Sequence, residues 1–581
     1  MENMLNVKIN GKDYQVPQGL TILEAARYVG IDIPTLCYLK GINEIGACRI
    51  CVCEVKGARS LVAACVYPVD RDGMEIFTNS PKVLKSRKMT LELILSNHDK
   101  KCLSCTRSGN CELQKLCNDL GVEDENRFAG STPNVQFDCS APHLVRDNAK
   151  CILCRRCIGA CKQQYVSVIG ANNRGFDTEV GCAFEAELNN VACVSCGQCI
   201  VACPTGALRE KDETDKVLEA LADPDKYVVV QTAPAVRATL GECFGDAPGT
   251  LVTGKMVAAL RRLGFDKVFD TDFGADLTIM EEGNEFISRV KNGGTLPMIT
   301  SCSPGWINFV EHYYPEFIPN LSTCKSPQQM QGAMTKTWFA QKNNIDPSKI
   351  YSVSIMPCTA KKFEHKRDEM KSTGTPDVDV VLTTRELGKL IERCGINWNL
   401  LPEEDFDSIL GESSGAAPIF GATGGVMEAA LRTVAEVLEG KSLENVEFTA
   451  VRGMDDIKEA TYNVAGMDVN VAVVSGLSNV AKLLDAVKAG EKNYHFIEVM
   501  CCPGGCINGG GQPVQPAVVR NNVDLKALRA SALYKEDAGK AVRKSHENPA
   551  IKMAYDEFLG EPGGHKAHEI LHTTYTAKSR Y

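Results

Sequence analysis

The residues of this chain best suited to chemistry are its 27 cysteines, because most of them stand at short, regular spacings. Cys151, Cys154, Cys157 and Cys161 form C-x2-C-x2-C-x3-C, and Cys193, Cys196, Cys199 and Cys203 repeat it with Pro204 behind. Two-residue loops wrap three thiolates around three corners of a cubane, and the fourth corner must be met from elsewhere. The spacing therefore predicts two [4Fe-4S] clusters with exchanged fourth ligands: Cys151, Cys154, Cys157 and Cys203 on one, Cys161, Cys193, Cys196 and Cys199 on the other. Disulfides are the weaker reading. The N-terminal stretch MENMLNVKINGKDYQVPQG lacks the apolar core of a signal peptide, which points to a cytoplasmic protein whose thiols stay reduced and free for metal.

Two further sets lie upstream. Cys37, Cys48, Cys51 and Cys65 read C-x10-C-x2-C-x13-C around a loop after a small sheet and suit a [2Fe-2S] cluster. A closed tetrahedral zinc site is the competing occupant. His98, Cys102, Cys105 and Cys111 read H-x3-C-x2-C-x5-C. One neutral imidazole among three thiolates can hold zinc or a less anionic [4Fe-4S] cluster, and a solvent histidine with no ligand role is the plain alternative. Cys53, Cys117, Cys139, Cys182, Cys243, Cys324 and Cys394 stand apart and read as small buried hydrophobes. Four clusters in the first 210 residues make a wire, which binds no organic substrate.

The elements that must position these groups come next. At 581 residues the chain exceeds one core, and 44% hydrophobic with 24% charged residues is the composition of a globular protein. A net charge of -9 with scattered basic residues gives no face for nucleic acid. No apolar run approaches the roughly 20 residues of a membrane span. Leu5, Val7 and Ile9, then Tyr14 and Val16, flank an Asn10-Gly11 turn and predict a hairpin, followed by a helix in TILEAARYVG. These define a β-grasp ferredoxin-like domain at 1–80. The amphipathic SRKMTLELILSN predicts a helix that delivers His98 to its cysteine loop, within a His/Cys cluster domain at 81–126. A polar linker near 127–145 precedes a two-cluster bacterial ferredoxin-like domain at 140–212. After the charged, helix-favouring REKDETDKVLEALADPDKY, the strand VVVQTAPAV opens a large domain at 222–581. There YSVSIMPC and VNVAVVSG alternate with amphipathic helices and predict α/β. The fold class is thus multidomain, α/β and α+β. GATGGVMEAALR matches neither G-x-G-x-x-G nor the P-loop and reads as a tight turn into a helix, where backbone could approach a buried cofactor.

The large domain carries three separated cysteine segments: TSCSPGW at 300–306, MPCTAKKFE at 356–364 and EVMCCPGGCINGGGQP at 498–513. Thiols so far apart cannot form a local finger and must converge around one object. In order and separation these segments resemble the three signatures of the [FeFe]-hydrogenases. The N-terminal modules resemble those of the larger, multi-cluster members, so the resemblance covers essentially the whole chain. The front quarter alone is shared with complex I-type and formate dehydrogenase-type subunits. It is the three terminal segments that single out the hydrogenase.

The resemblance implies an H-cluster: a [4Fe-4S] cubane joined through a cysteine thiolate to a two-iron unit with CO, cyanide and a bridging dithiolate. Cys358, Cys502 and Cys506 would ligate the cubane, with Cys506 as the bridge. Lys361 would pair with a cyanide, Met356 and Met500 would wall the diiron unit, and Pro234 and Ala235 would present backbone to it. Gln328 and Phe420 would complete the lining. The family's first signature has two adjacent cysteines, a proton relay and then the fourth cubane ligand. Here the pair is Cys302 and Ser303, which leaves the fourth ligand open between Ser303 and Cys302. The family's other proton-path positions hold Glu282, Glu285, Arg289 and Ser322, which favours Cys302 as the relay. The implied activity is reversible oxidation of H2 to protons and electrons. The implied partners are ferredoxin, or flavin- and NAD-binding hydrogenase subunits, since this chain has no dinucleotide fingerprint of its own. A hydrogenase-like sensor or assembly factor without the diiron unit, and a purely electron-conducting subunit, are the rival readings. The tail histidines His546, His565, His568 and His572 are expected to be structural rather than ligands.

Overall fold

The computed structural model describes residues 3–129, 135–443 and 445–580, so the linker expected near 127–145 lies partly outside the described residues. At the N-terminus Met4–Ile9 and Lys12–Pro17 pair as the expected hairpin. Asn10 (φ 49°) and Gly11 (φ 84°) both take the left-handed conformation that a two-residue hairpin turn requires. Met4–Ile9 also runs parallel to Met74–Phe77, which pairs with Val52–Val55, and that strand pairs with Val62–Ala63 to complete a five-stranded sheet. The helix Ile22–Tyr28 starts on a capping box between Thr21 and Glu24 and buries Leu23 and Ala26 in the core that also holds Cys51 and Cys65. The helix Pro81–Leu95 follows, capped by Ser80. Its Leu91 and Leu95 pack on Leu36, Ile50, Leu113 and Leu116, joining the first module to the second.

The twin cysteine runs fold as a structural repeat. In each run the second and fourth residues after the first cysteine are left-handed: Leu153 (φ 53°) and Arg155 (φ 62°), then Ser195 (φ 59°) and Gly197 (φ 69°). These turns coil the loops before each run enters its helix, Arg156–Gln163 or Gln198–Ala202.

The large region is built on two four-stranded sheets. One has the all-parallel order Lys267–Asp270, Tyr227–Thr232, Ile350–Met356, Val380–Thr383. The other runs Met298–Ile299, Phe496–Met500, Met467–Ser475, Ile457–Val464, parallel except for the last pair. Val380–Thr383 and Phe496–Met500 are buried at every residue, as expected for parallel strands covered on both faces. The 22-residue helix Thr271–Asn292, capped by Asp270, packs against Pro327–Met334 and Gly425–Glu439.

Four carboxyl ends of parallel strands open toward one place: Thr232 leads into Pro234, Ile299 into Cys302, Met356 into Cys358, and Met500 into Cys501. In open α/β sheets that is where ligands bind, because the loops leaving the strands are free to vary. The Gly-rich turn serves packing instead. A Cβ at Gly424 would sit 1.9 Å from the Val451 carbonyl, and one at Gly425 1.8 Å from that of Ile419, so the close approach is to protein backbone and not to a cofactor. The tail wraps the domain: Leu533 packs with Ala235 and Ile507, while Ile551, Tyr555 and Leu571 join Phe273 and Trp338 in one core. Among the described residues no helix is long and apolar enough to cross a membrane.

Candidate active site and electron path

The four strand ends enclose a cavity whose wall includes Cys302, Ser303, Cys358, Cys501, Cys502 and Cys506 at one side. Pro234, Gln328, Met356, Phe420 and Met500 also line it, together with Lys361. Burial pushes the Cys358 thiol up and the Cys506 thiol up to about 12. Thiolates in such a wall need a metal to hold them, and Lys361 is the one cation whose charge opposes these shifts. A group bound by thiolates at one end and walled by thioethers, an aromatic ring and proline at the other fits this donor set. Ala235 does not line the cavity. It is fully buried one residue further on, and its carbonyl accepts from Thr239 Oγ1 at 2.9 Å.

The paired lysines of MPCTAKKFE split in direction. Lys361 Nζ donates to the Cys302 carbonyl at 3.2 Å and to Glu364 at 2.9 Å, holding its ammonium at the cavity wall. Lys362 turns away to Glu386 (2.9 Å) and Glu213 (3.0 Å), which ties the loop to the segment leaving the cluster modules. Gln328 is held by Ser354 and Glu364, so both ends of its amide are already partnered.

From Cys302 a line of protonatable groups leads outward. Burial, and then Glu282, push the Cys302 thiol well up, so it carries its proton at neutral pH. Glu282 is fully buried, and neither carboxyl oxygen has a hydrogen-bond partner. Desolvation and the nearby Glu285 raise its carboxyl to about 8, with Ser322 and the Ser301 backbone close enough to moderate the shift. Ser322 Oγ donates to Glu285 at 3.0 Å, and Glu285 is gripped by Arg289 at 2.6 Å. Arg289 is fixed in turn by the carbonyls of Thr295, Asn320 and Leu321. Of the six residues expected to be catalytic, Cys302 and Lys361 line the cavity, and Glu282, Ser322, Glu285 and Arg289 lie behind Cys302 in contact with one another. His572 bridges Thr323 Oγ1 (2.7 Å) and Glu281 (3.0 Å), a structural clasp on the tail.

The thiols of the twin runs lie in two groups. The thiols of Cys151, Cys154, Cys157 and Cys203 line one small cavity. Those of Cys161, Cys193, Cys196 and Cys199 face one another across the other run. Cys37 with Cys48, and Cys51 with Cys65, form two interacting thiol pairs at one loop. Burial lowers the His98 imidazole, and its Nδ1 is buried without a hydrogen-bond partner. Cys53 is a buried bystander held by Arg87 at 3.8 Å. The second ferredoxin-like run docks directly on the cavity loops. A Cβ at Gly510 would lie 2.2 Å from the Cys196 carbonyl, and Thr359 Oγ1 donates to the Ser195 carbonyl at 2.8 Å.

Two residues at this junction were not singled out from sequence. His143 Nε2 lies 3.8 Å from the Cys193 thiol. Cys501 lines the cavity and its thiol interacts with those of both Cys502 and Cys196. The visible signal was the doubled cysteine in EVMCCPGGC.

Comparison with known proteins agrees with this geometry. Residues 226–510 match the family described as "Iron only hydrogenase large subunit, C-terminal domain", and 523–578 match "Iron hydrogenase small subunit". Residues 2–81 match a 2Fe-2S iron-sulfur cluster binding domain, 87–126 an NADH-ubiquinone oxidoreductase-G iron-sulfur binding region, and 150–207 a 4Fe-4S dicluster domain. The chain is 52% identical to the NADP-reducing hydrogenase subunit HndD of Solidesulfovibrio fructosivorans over 100% of both chains. It is 45% identical to iron hydrogenase 1 of Clostridium pasteurianum, covering 98% of this chain and 100% of that one. A solved structure of a variant of apo [FeFe]-hydrogenase HydA1 from Chlamydomonas reinhardtii superposes with a TM-score of 0.57 at 43% identity, over 64% of this chain and 100% of that one. With cysteines from three strand ends around one cavity and a run of iron–sulfur modules ahead of it, the chain belongs to the iron-only hydrogenases, oxidoreductases that act on H2.

Proposed function

We propose that this chain is the H2-activating subunit of a larger assembly, oxidising H2 reversibly and sending the electrons out through one [2Fe-2S] and three [4Fe-4S] clusters. The observation that carries this reading is the convergence of Cys358, Cys502 and Cys506 on a cavity also lined by Lys361 and Cys302, with Glu282 close to Cys302. Those three thiols would hold the cubane of an H-cluster, which when bound supplies the cleavage of H2. Lys361 offsets anionic ligands in a desolvated wall. Met356, Met500, Phe420 and Pro234 exclude water and leave the reacting end apolar. Cys302 takes a proton from the cavity and passes it toward Glu282, whose carboxyl, at about 8, can both accept and release it near neutral pH. Ser322, Glu285 and Arg289 continue the path outward, with Glu285 reached through the Ser322 hydroxyl. Four modules divide the labour: 1–80, 81–126, 140–212 and 222–581. A relative named as an NADP-reducing hydrogenase subunit, 52% identical over the full length, supports a partner that reduces NADP, and a flavin- and NAD-binding subunit is the partner this reading adds. Ferredoxin is the second electron partner this reading admits.

The test is an infrared spectrum of the anaerobically matured protein. Iron-bound CO and cyanide stretches are expected, with about 20 irons per chain. Their absence after competent maturation replaces this reading with a sensor or wire built on the same scaffold.

A further inference from the structure

Resting on that reading, we propose that Cys501, and not Ser303 or Cys302, supplies the fourth thiolate to the cubane. Three observations carry it. The first is position: Cys501 shares the cavity wall with Cys358, Cys502 and Cys506 and stands beside Ser303, whose Oγ accepts a hydrogen bond from the Cys501 backbone N–H at 3.3 Å. The space in front of the thiol is kept open by Gly305, where a Cβ would lie 2.6 Å from Cys501 Sγ. The second is direction. Consecutive side chains of a strand point to opposite faces, so Cys501 and Cys502 would diverge if the strand continued. It ends at Met500, and the chain turns at once, so the two thiols interact with each other. The third is counting. The neighbouring cluster at Cys196 already has Cys161, Cys193, Cys196 and Cys199, whereas the cubane has three thiols and lacks one. Iron–sulfur clusters favour thiolate over a serine oxygen. A sulfur moved from position 303 to position 501 restores the count and leaves Cys302 free to carry protons. The competing reading is a buried cysteine packing with Val194, Trp306 and Ile497.

The experiment uses the full-length chain made without maturation enzymes, which holds the cubane but no diiron unit, and reads iron per chain and the Mössbauer cluster count. Cys501→Ala is expected to lose one four-iron cluster, Ser303→Ala and Cys302→Ala none. The double variant Cys501→Ala with Ser303→Cys is expected to regain the lost cluster, which separates a ligand from a packing residue. A complete cluster complement in Cys501→Ala, a loss in Ser303→Ala or Cys302→Ala, or no recovery in the double variant overturns the proposal. Because none of these readouts involves CO or cyanide, the ligation can fail while the infrared test succeeds, and the reverse.

Discussion

Glu282 shows how much one buried carboxyl can do at the centre of a relay. Burial, first, and then Glu285 raise its affinity for a proton, and Ser322 and the Ser301 backbone only moderate that rise. Glu282→Gln keeps the volume and removes the exchangeable proton. H2 oxidation is expected to fall by about 100-fold or more, with the infrared bands unchanged. The pH dependence has a definite sign. The carboxyl is protonated below about 8, so H2 evolution, which needs protons delivered inward, is expected to decline as pH rises through about 8. The same shift makes the carboxyl a stabilising group only while it keeps its proton; that contribution is full below the unfolded value of 4.5 and lost as pH rises through about 8. A Glu282→Gln protein that kept both its rate and this inflection would remove the residue from the path. Cys302 and Glu282 were legible in sequence because they sit in recognisable signatures. Cys501 was not, because its significance lies in a turn after Met500 that brings consecutive thiols together, and spacing alone does not report direction.

At the scale of elements, the repeated C-x2-C-x2-C-x3-C runs were legible down to which cysteines lie together: Cys203 of the second run lines one small cavity with Cys151, Cys154 and Cys157 of the first, because short loops leave few geometries. The two sheets of the large region were legible only as alternating strand and helix signals. That Thr232, Ile299, Met356 and Met500 all end at one cavity is set by pairings between strands far apart in the chain, such as Met298 with Phe496 and Tyr227 with Ile350, which local pattern cannot reveal. The Gly-rich turn at 421–425 was read as a candidate cofactor approach, and packing against Ile419 and Val451 claimed it instead. The glycine that does set a functional distance is Gly510. A Cβ there would meet the Cys196 carbonyl at 2.2 Å and the Gly197 Cα at 2.6 Å, both backbone atoms that cannot swing aside. Gly510→Ala is expected to cost about 1–3 kcal/mol, seen as a lower Tm, and to force the Cys196 loop away from the cavity. Reduction of the N-terminal clusters by H2, followed by electron paramagnetic resonance, should slow while the infrared bands persist. Unchanged cluster reduction would show that this backbone contact does not set the electron-transfer distance.

Across the whole molecule the proposed function assigns protons to one side of the cavity and electrons to the other. Glu282, Glu285 and Arg289 sit on the helix Thr271–Asn292, with Ser322 bonded to Glu285 from beside it, whereas Cys501 and Gly510 adjoin Cys196 of the cluster modules. The modules are fastened to one another by buried charge: Arg156 forks onto Glu112 at 2.9 and 3.0 Å, and Glu112 also accepts from the Ala517 backbone of the large region. The His98 site therefore lies outside the reacting cavity yet is packed against the rest of the wire, since the Cys105 thiol would be 2.6 Å from a Cβ at Gly206. Cys102→Ala separates the two functions. Cys102 is part-exposed at the start of a short turn, so its removal disturbs little packing. It is expected to cost one four-iron cluster while the CO and cyanide bands and H2 uptake with an artificial dye remain. Transfer to a flavin- and NAD-binding partner should fall by tenfold or more if that cluster relays electrons, about 1.4 kcal/mol or more on the barrier. Equal loss with dye and partner would mean that the His98 module supports the active site structurally, and no loss with either would take it off the electron path.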